Sequence, residues 1–159
     1  RGLGDVYKRQ VPDSAGAGKF RGGLALVREY QALIDGTVLN VRSDKRDYPP
    51  HGLFGGKEGK PSKNILNPGS TDRLLPVLMT EVEMMKKGDV FRHTMAGGGG
   101  YGIPFDRDPE RVLKDVIEEK VSLNAAKIEY GVVIIKSDRG TIVDKKATID
   151  LRRSISTGI

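Results

Sequence analysis

The 159-residue sequence contains no cysteine and no tryptophan, and its only histidines are His51 and His93. Without cysteine, disulfide bonds, thiolate catalysis and cysteine-based zinc sites are excluded. A metal site in this chain would need Asp or Glu ligands, or ligands from elsewhere in a larger protein. We therefore expect no metal site that is built from this chain alone.

Long apolar runs are also absent: none approaches the ~18 residues that a membrane-spanning helix needs. No segment resembles a signal peptide, so we expect a cytoplasmic protein without a membrane partner. Aromatic residues make up only 6% of the chain, and its net charge of +6 comes from basic residues interleaved with acidic ones. Nucleic-acid binding needs a basic stripe on one face, so we expect no nucleic-acid partner.

The first ten residues, RGLGDVYKRQ, do not begin with Met and look like a translated sequencing-library adapter. We interpret residues 1–10 as a non-native segment and residues 11–159 as part of a longer protein. Removing the segment lowers the net charge from +6 to +4. The alternative interpretation is an ordinary strand at the start of the chain.

The first two thirds of the sequence predict strands. Residues 22–34 and 37–42 flank Asp35-Gly36, a strong signal for a two-residue hairpin. A long Pro- and Gly-rich segment follows at residues 44–73, with one short strand predicted at 63–66. Residues 74–85 and 90–94 predict two further strands around a turn at 86–89.

The last third predicts helices. Asp108 is a suitable N-cap with Pro109 at the first helical position, and Ser122 is suited to cap a second short helix that ends at Gly131. A small hairpin is predicted around residues 138–140, and a last helix or tail over 147–154. The predicted fold class is α+β: a mainly antiparallel β region, then a short helical pair and a small hairpin.

Four consecutive glycines, Gly97, Gly98, Gly99 and Gly100, follow the strand predicted at 90–94. Such a run can bind a phosphate, stabilise an oxyanion, or let the backbone pass where side chains would clash. A dinucleotide site is disfavoured because no helix opens directly from the motif. A P-loop at residues 16–19 is disfavoured by Asp13 and Phe20, which replace the required glycine and hydroxyl residues.

His93 lies next to this glycine run. In one interpretation it acts as a general acid or base while the loop amides stabilise developing negative charge. In the other it is a strand residue that is hydrogen-bonded to the loop and has no chemical role. Residue patterns alone leave both interpretations open.

Four separated segments resemble, in order, the hydantoinase B/5-oxoprolinase family: residues 12–30 (PDSAGAGKFRGGLALVREY), 40–69, 87–116 (beginning KGDVFRHTMAGGGGYGIPF) and 129–134. Residues 144–153 fit as well. The resemblance implies that residues 11–159 are the C-terminal part of a B-type subunit. It implies a cytoplasmic hydrolase of cyclic amides such as hydantoins or 5-oxoproline, in which a partner A-type subunit handles ATP and Mg²⁺. A divalent metal, where family members use one, would be bound outside this chain.

The resemblance assigns no catalytic residue to this segment. From the residues themselves, we hypothesise that His93 is catalytic and that Arg21, Arg42 and the four glycines at 97–100 bind the substrate or an anion. Three alternatives stay open: a B-type subunit of an ATP-dependent ketone carboxylase, a structural segment of either enzyme, or a stand-alone nucleotide-binding module.

Overall fold

The structure is a computed structural model that describes residues 3–138 and 140–157. Its elements form an α+β fold, as predicted. A five-stranded sheet has the order β1-β2-β7-β4-β5, and β3–β6 and β8–β9 form two separate strand pairs. The strands are β1 Leu3–Gln10, β2 Leu26–Ala32, β3 Thr37–Leu39, β4 Lys63–Leu66, β5 Arg73–Leu74, β6 Glu83–Met85, β7 Val90–Thr94, β8 Ile134–Ser137 and β9 Gly140–Val143. The helices are α1 Pro109–Ile117, α2 Leu123–Tyr130 and α3 Lys145–Thr157, and a 3-10 turn covers Pro104–Asp106.

The five-stranded sheet is antiparallel throughout and buries one of its faces. Strand β7 is central, and in its register Phe91 pairs with Tyr30 on β2 and with Leu66 on β4. Side chains on one face of a strand alternate with those on the other, so these three residues share a face. They pack with the other buried residues of the first core, Ala32, Val41, Leu75 and Met85.

The helices form a second core against the hairpin β8–β9. Val112 on α1 and Ala126 on α2 are completely buried, and they pack with Val121, Tyr130, Val132 and Val143. Helix α3 is attached through Arg152, whose guanidinium donates to the backbone carbonyl of Tyr130. Thr148 on the same helix accepts a hydrogen bond from the amide of Val133.

A layer of close-packed backbone joins the two cores. It consists of residues 14–22, 52–60 and 96–102, and we call it the glycine layer. Backbone hydrogen bonds run between its segments, for example from the amide of Gly16 to the carbonyl of Gly98 and from that of Leu53 to the carbonyl of Gly100. At several glycines of these segments the backbones approach so closely that an added Cβ atom would overlap a carbonyl group.

The hairpin predicted at Asp35-Gly36 is wrong. Strand β2 pairs with β1 and β7, whereas β3 pairs with β6 in a separate strand pair. At the turn, Thr37 donates its hydroxyl proton to the carbonyl of Ile34, and Gly36 donates its amide proton to Met85. The chain therefore leaves the five-stranded sheet at this turn. The strands that pair with β2 are β1 and β7, and not the strand that follows β2 in the sequence.

Other elements agree more closely with the sequence. The short strand predicted at 63–66 and the strand at 90–94 are β4 and β7. The strand predicted over residues 74–85 is divided into the end of β5 and β6, with irregular chain between them. The predicted hairpin around 138–140 joins β8 and β9, although Arg139 at its centre lies outside the described residues.

The helix termini follow the predicted capping residues. The carboxylate of Asp108 accepts from the amide of Glu110, and Pro109 begins α1. The hydroxyl of Ser122 accepts from the amide of Ala125, and α2 ends at Gly131 with a left-handed conformation. The last helix is longer than predicted and covers Lys145–Thr157.

Candidate active site

His93 lies near the end of the central strand β7, between Arg28 on β2 and Asn64 on β4. Its imidazole is partly buried, and Nδ1 lies 2.7 Å from Oδ1 of Asn64. Burial, assisted by the positive charge of Arg28, holds the pKa of His93 below its ordinary value. At neutral pH the ring is therefore predominantly uncharged, which is the state that a general base requires.

Arg28 is a neighbour of His93 that the sequence did not reveal. Its Nε atom is buried and has no hydrogen-bond partner among the described residues. One of its terminal nitrogens lies 3.5 Å from the hydroxyl of Tyr30. A guanidinium with unused donors beside an uncharged imidazole can receive a negatively charged group. Strand alternation within residues 22–34 can indicate the sheet face on which Arg28 lies, but the register with β7 is a tertiary property.

Asn64 is a second neighbour that the sequence did not reveal, and its side chain is 1% exposed. Its Nδ2 donates to the hydroxyl of Ser43, at 2.8 Å. Buried amide side chains are normally fully hydrogen-bonded. The available signal was an asparagine inside a predicted four-residue strand, where apolar residues are usual.

The glycine run lies inside the glycine layer. A Cβ atom added at Gly97, Gly99 or Gly100 would overlap the carbonyl groups of Ser14, His51 and Ala17, respectively. At Gly98 the nearest atom would be the amide nitrogen of Gly23, at 3.0 Å. The run is therefore built into backbone packing on several sides.

Three amides of this run already have acceptors. Gly97 donates to the carbonyl of Lys60 at 2.9 Å, Gly98 to that of Gly23 at 2.8 Å and Gly100 to that of Lys57 at 2.9 Å. These three amides are therefore engaged with backbone carbonyls in this arrangement. The glycines allow the backbone to pass close to other segments, which was the structural alternative for this motif.

Arg21 is held by an internal ion pair. Its guanidinium lies 3.2 Å from the carboxylate of Asp115, and Arg107 contacts the same carboxylate at 2.8 Å. The side chains of Asp115, Arg107 and Arg21 are 8%, 11% and 14% exposed, respectively, so the cluster is largely withdrawn from water. Arg21 therefore compensates a buried carboxylate and links the glycine layer to α1.

Arg42 lies on the surface and is not a member of that cluster. Its side chain is exposed, and its backbone forms an isolated bridge with Leu78. The next residue, Ser43, contacts Asn64 and so connects this segment with His93. The structure thus brings His93 into contact with Asn64 and opposite Arg28 in the sheet, and it does not gather Arg21, Arg42 and the glycine amides around one anion.

A cleft of about 360 Å³ lies between the glycine layer and α2. Arg21 is among its lining residues, together with Lys57 and Glu129, whose charged groups lie 2.6 Å apart. Tyr130 lines it as well, and burial raises the pKa of its phenol to about 12. This phenol therefore stays protonated at neutral pH and can donate a hydrogen bond.

A second cleft, of about 390 Å³, lies on the face of the sheet opposite His93. It contains the ion pair between Glu29 and Arg92. Neither cleft includes His93 among its lining residues.

Within residues 3–138 and 140–157, no group of three or more His, Asp or Glu side chains is arranged to hold a metal ion. None of the helices in this part of the chain is long and apolar enough to cross a membrane.

Comparison with known families identifies the fold region that contains this site. A sequence model described as hydantoinase B/oxoprolinase matches residues 7–104. This range includes β2, β4 and β7 and all three segments of the glycine layer.

Individual relatives are similar over most of the chain. It is 32% identical to the caprolactamase subunit beta of Pseudomonas jessenii over 147 residues, which cover 87% of this chain and 24% of that subunit. The crystal structure of the ATP-dependent caprolactamase from the same organism superposes with a TM-score of 0.74 at 26% identity, over 95% of this chain and 26% of that chain. A nucleotide-free structure of acetone carboxylase has a TM-score of 0.79 at 22% identity, over 99% and 25% of the two chains, which shows a shared fold. The chain spans about a quarter of the length of these proteins.

Proposed function

The chain belongs to the hydantoinase B/oxoprolinase family, and from this premise we propose that it is part of the B-type subunit of an ATP-dependent cyclic-amide hydrolase. The observation that carries the proposal is the similarity to the caprolactamase subunit, which extends over nearly the whole chain. The substrate class is a small cyclic amide, and the enzyme is cytoplasmic.

Residues 16–19, the segment nearest to a P-loop, do not fit a nucleotide phosphate. In the segment that resembles a P-loop, the amide of Gly16 donates to Gly98 and that of Lys19 to Gly102, so neither is directed at a phosphate. ATP, held with Mg²⁺ by an A-type partner subunit, would supply the phosphoryl group that activates the ring carbonyl. Any divalent metal would be bound by parts of the subunit outside residues 3–157.

In the net reaction, one water adds to the amide carbon, the ring C–N bond breaks and the nitrogen takes up a proton, while a second water is consumed as ATP becomes ADP and phosphate. The neutral imidazole of His93 is suited to accept a proton from the attacking water. Arg28, across the strand, offers donors to the oxygen that develops negative charge. Partial burial of the imidazole strengthens both interactions.

This role of His93 has a direct test in the assembled enzyme. We expect His93→Ala to lower the rate of ring opening 100-fold or more, because a general base typically contributes a factor of about 10²–10⁴. His51→Ala removes the other histidine, whose side chain is exposed, and serves as the matched control. An unchanged rate in the His93 variant would refute the proposed role.

The function of the whole enzyme is tested by producing the complete subunit with its A-type partner. ADP release and ring opening are measured with hydantoin, 5-oxoproline and caprolactam, and in parallel with acetone and bicarbonate. We expect ADP release that is coupled to opening of one of the cyclic amides. Turnover of acetone and bicarbonate alone would favour the carboxylase alternative, and assembly without turnover of either class would favour a structural role.

We further propose that residues 11–159 are the C-terminal part of the subunit and that residues 1–10 are not native. The chain's short span relative to its relatives supports the statement that it is one part of a longer subunit. The non-native origin of residues 1–10 is compatible with the pairing of β1 with β2, because an exposed strand edge accepts any extended backbone. Amplifying the source locus across codon 11 tests it: native codons upstream should differ from those for RGLGDVYKRQ, and identity with them would overturn it.

A further inference from the structure

A continuous chain of hydrogen bonds begins at His93 and ends at a backbone carbonyl. Nδ1 of His93 pairs with Oδ1 of Asn64, and Nδ2 of Asn64 pairs with the hydroxyl of Ser43. The hydroxyl of Ser43 in turn lies 3.3 Å from the carbonyl oxygen of Val77. Each of these hydrogen bonds joins residues from different parts of the sequence, so the series forms only in the folded protein.

The contact between Ser43 and Val77 determines which group donates in each hydrogen bond of this series. A carbonyl oxygen can only accept, so Ser43 donates its hydroxyl proton to Val77 and must accept from Asn64. The carbonyl of Pro76, 3.4 Å from Nδ2 of Asn64, also requires a donor at that atom. Both contacts place the NH₂ group of Asn64 away from His93 and its carbonyl oxygen towards the imidazole.

Only one tautomer of the His93 imidazole is compatible with these contacts. Because Oδ1 of Asn64 can only accept, Nδ1 of His93 must carry a proton. The charged group that faces the ring is Arg28 on β2, and its positive charge opposes a second proton on Nε2. Asn64 on β4 and Phe91 on the same strand, whose ring stacks on the imidazole, contribute no charge.

We propose that Asn64 is a positioning residue that fixes His93 in the neutral tautomer protonated at Nδ1, leaving Nε2 as the ring's proton acceptor. The use of Nε2 in ring opening rests on the function proposed above. The tautomer itself does not, since it follows from the contacts of Asn64 with Ser43 and Pro76.

Nuclear magnetic resonance of the ¹⁵N-labelled 159-residue chain tests the tautomer directly. The chain has two histidines, so His51→Gln assigns the two imidazoles. At pH 7.5 we expect a protonated-type shift for Nδ1 of His93 and an unprotonated-type shift for Nε2. The exposed His51 should show shifts averaged between its tautomers. An Nε2-protonated or averaged pattern for His93 overturns the proposal.

Asn64→Asp tests the role of the amide. Its carboxylate still accepts from Nδ1 but adds a negative charge, which should raise the pKa of His93 by about 1–3 units. Asn40→Asp makes the same change at an exposed position and should leave that pKa unchanged. If the pKa of His93 is unchanged in the Asn64 variant, the contact between the two side chains is contradicted. If that variant does not fold, the tautomer of His93 measured in the wild type tests the proposal.

The assembled enzyme separates this inference from the proposed function. If His93 is the base, the acidic limb of the pH–rate profile of Asn64→Asp should move upward by the same number of units as the pKa. If the tautomer is confirmed but the limb does not move, Asn64 positions His93 and the proposed catalytic role is wrong.

Discussion

Gly99 packs against the carbonyl group of His51 so closely that a Cβ atom at position 99 would overlap the carbonyl oxygen. Both partners in this contact are backbone, and neighbouring segments of the glycine layer hold them in place. The contact explains why the sequence places glycine where any side chain would separate two segments of chain.

We expect Gly99→Ala to destabilise the chain by about 3 kcal/mol or more, because overpacking against immobile backbone cannot be relieved by a rotamer change. Chemical denaturation monitored by circular dichroism measures this free energy of unfolding. Gly23→Ala is the matched control, since a Cβ atom there has no neighbour within 4 Å. Equal midpoints for the two variants would contradict the packing of the layer.

Replacing Asp115 tests the ion-pair cluster. Asp115→Asn would leave Arg21 and Arg107 without their shared counter-charge, and breaking a buried pair in this way costs about 3–5 kcal/mol. Asp47, which is 60% exposed and pairs with Arg46, provides the control. Asp47→Asn should change the free energy of unfolding by less than about 1 kcal/mol. Similar losses in the two variants would show that the Asp115 cluster is not buried in solution.

The lowered pKa of His93 predicts how stability depends on pH. The unfolded chain binds a proton on this residue near its ordinary pKa of 6.5, whereas the folded chain binds it only at lower pH. Stability is therefore fully present above pH 6.5 and is lost as pH falls towards the folded-state pKa, by at most about 1.4 kcal/mol per pH unit. Urea denaturation between pH 7.5 and 5 should show this slope in the wild type and a smaller one in His93→Gln. Identical slopes would show that the pKa of His93 is not lowered.

Gly131 combines two requirements, a left-handed backbone and close neighbours. Its φ is +62°, and an added Cβ would lie 3.0 Å from Cγ of Arg152 and 3.1 Å from the ring of Phe105. Gly69 has a similar φ of +77° with empty space around it. We expect Gly69→Ala to cost about 1 kcal/mol through backbone strain alone. Gly131→Ala should lower the stability further, because its neighbours must also move. Thermal denaturation of the two variants measures the difference. An equal loss of stability would mean that Arg152 and Phe105 move aside without cost.

The candidate site was only partly predictable. His93 was selected because it is one of two histidines and lies at the end of a strand beside a glycine run. Arg28 and Asn64 could not be selected, because their proximity to His93 depends on the register of β7 with two strands that lie far apart in sequence. The glycine run was recognised as special, but whether its amides are free or engaged depends on which segments pack against it.

The sequence by itself determined the start of α1, both ends of α2 and the short strands at 63–66 and 90–94, because capping, turn formation and side-chain alternation act over a few residues. The family was recognisable from separated segments that match in order. Only the tertiary structure decided that β2 pairs with β1 and β7, that the glycine amides are donated to backbone carbonyls and that His93 meets Asn64. These contacts join residues tens of positions apart. Their partners are selected by the burial of a shared core and by the need to satisfy every buried backbone donor, which no local pattern specifies.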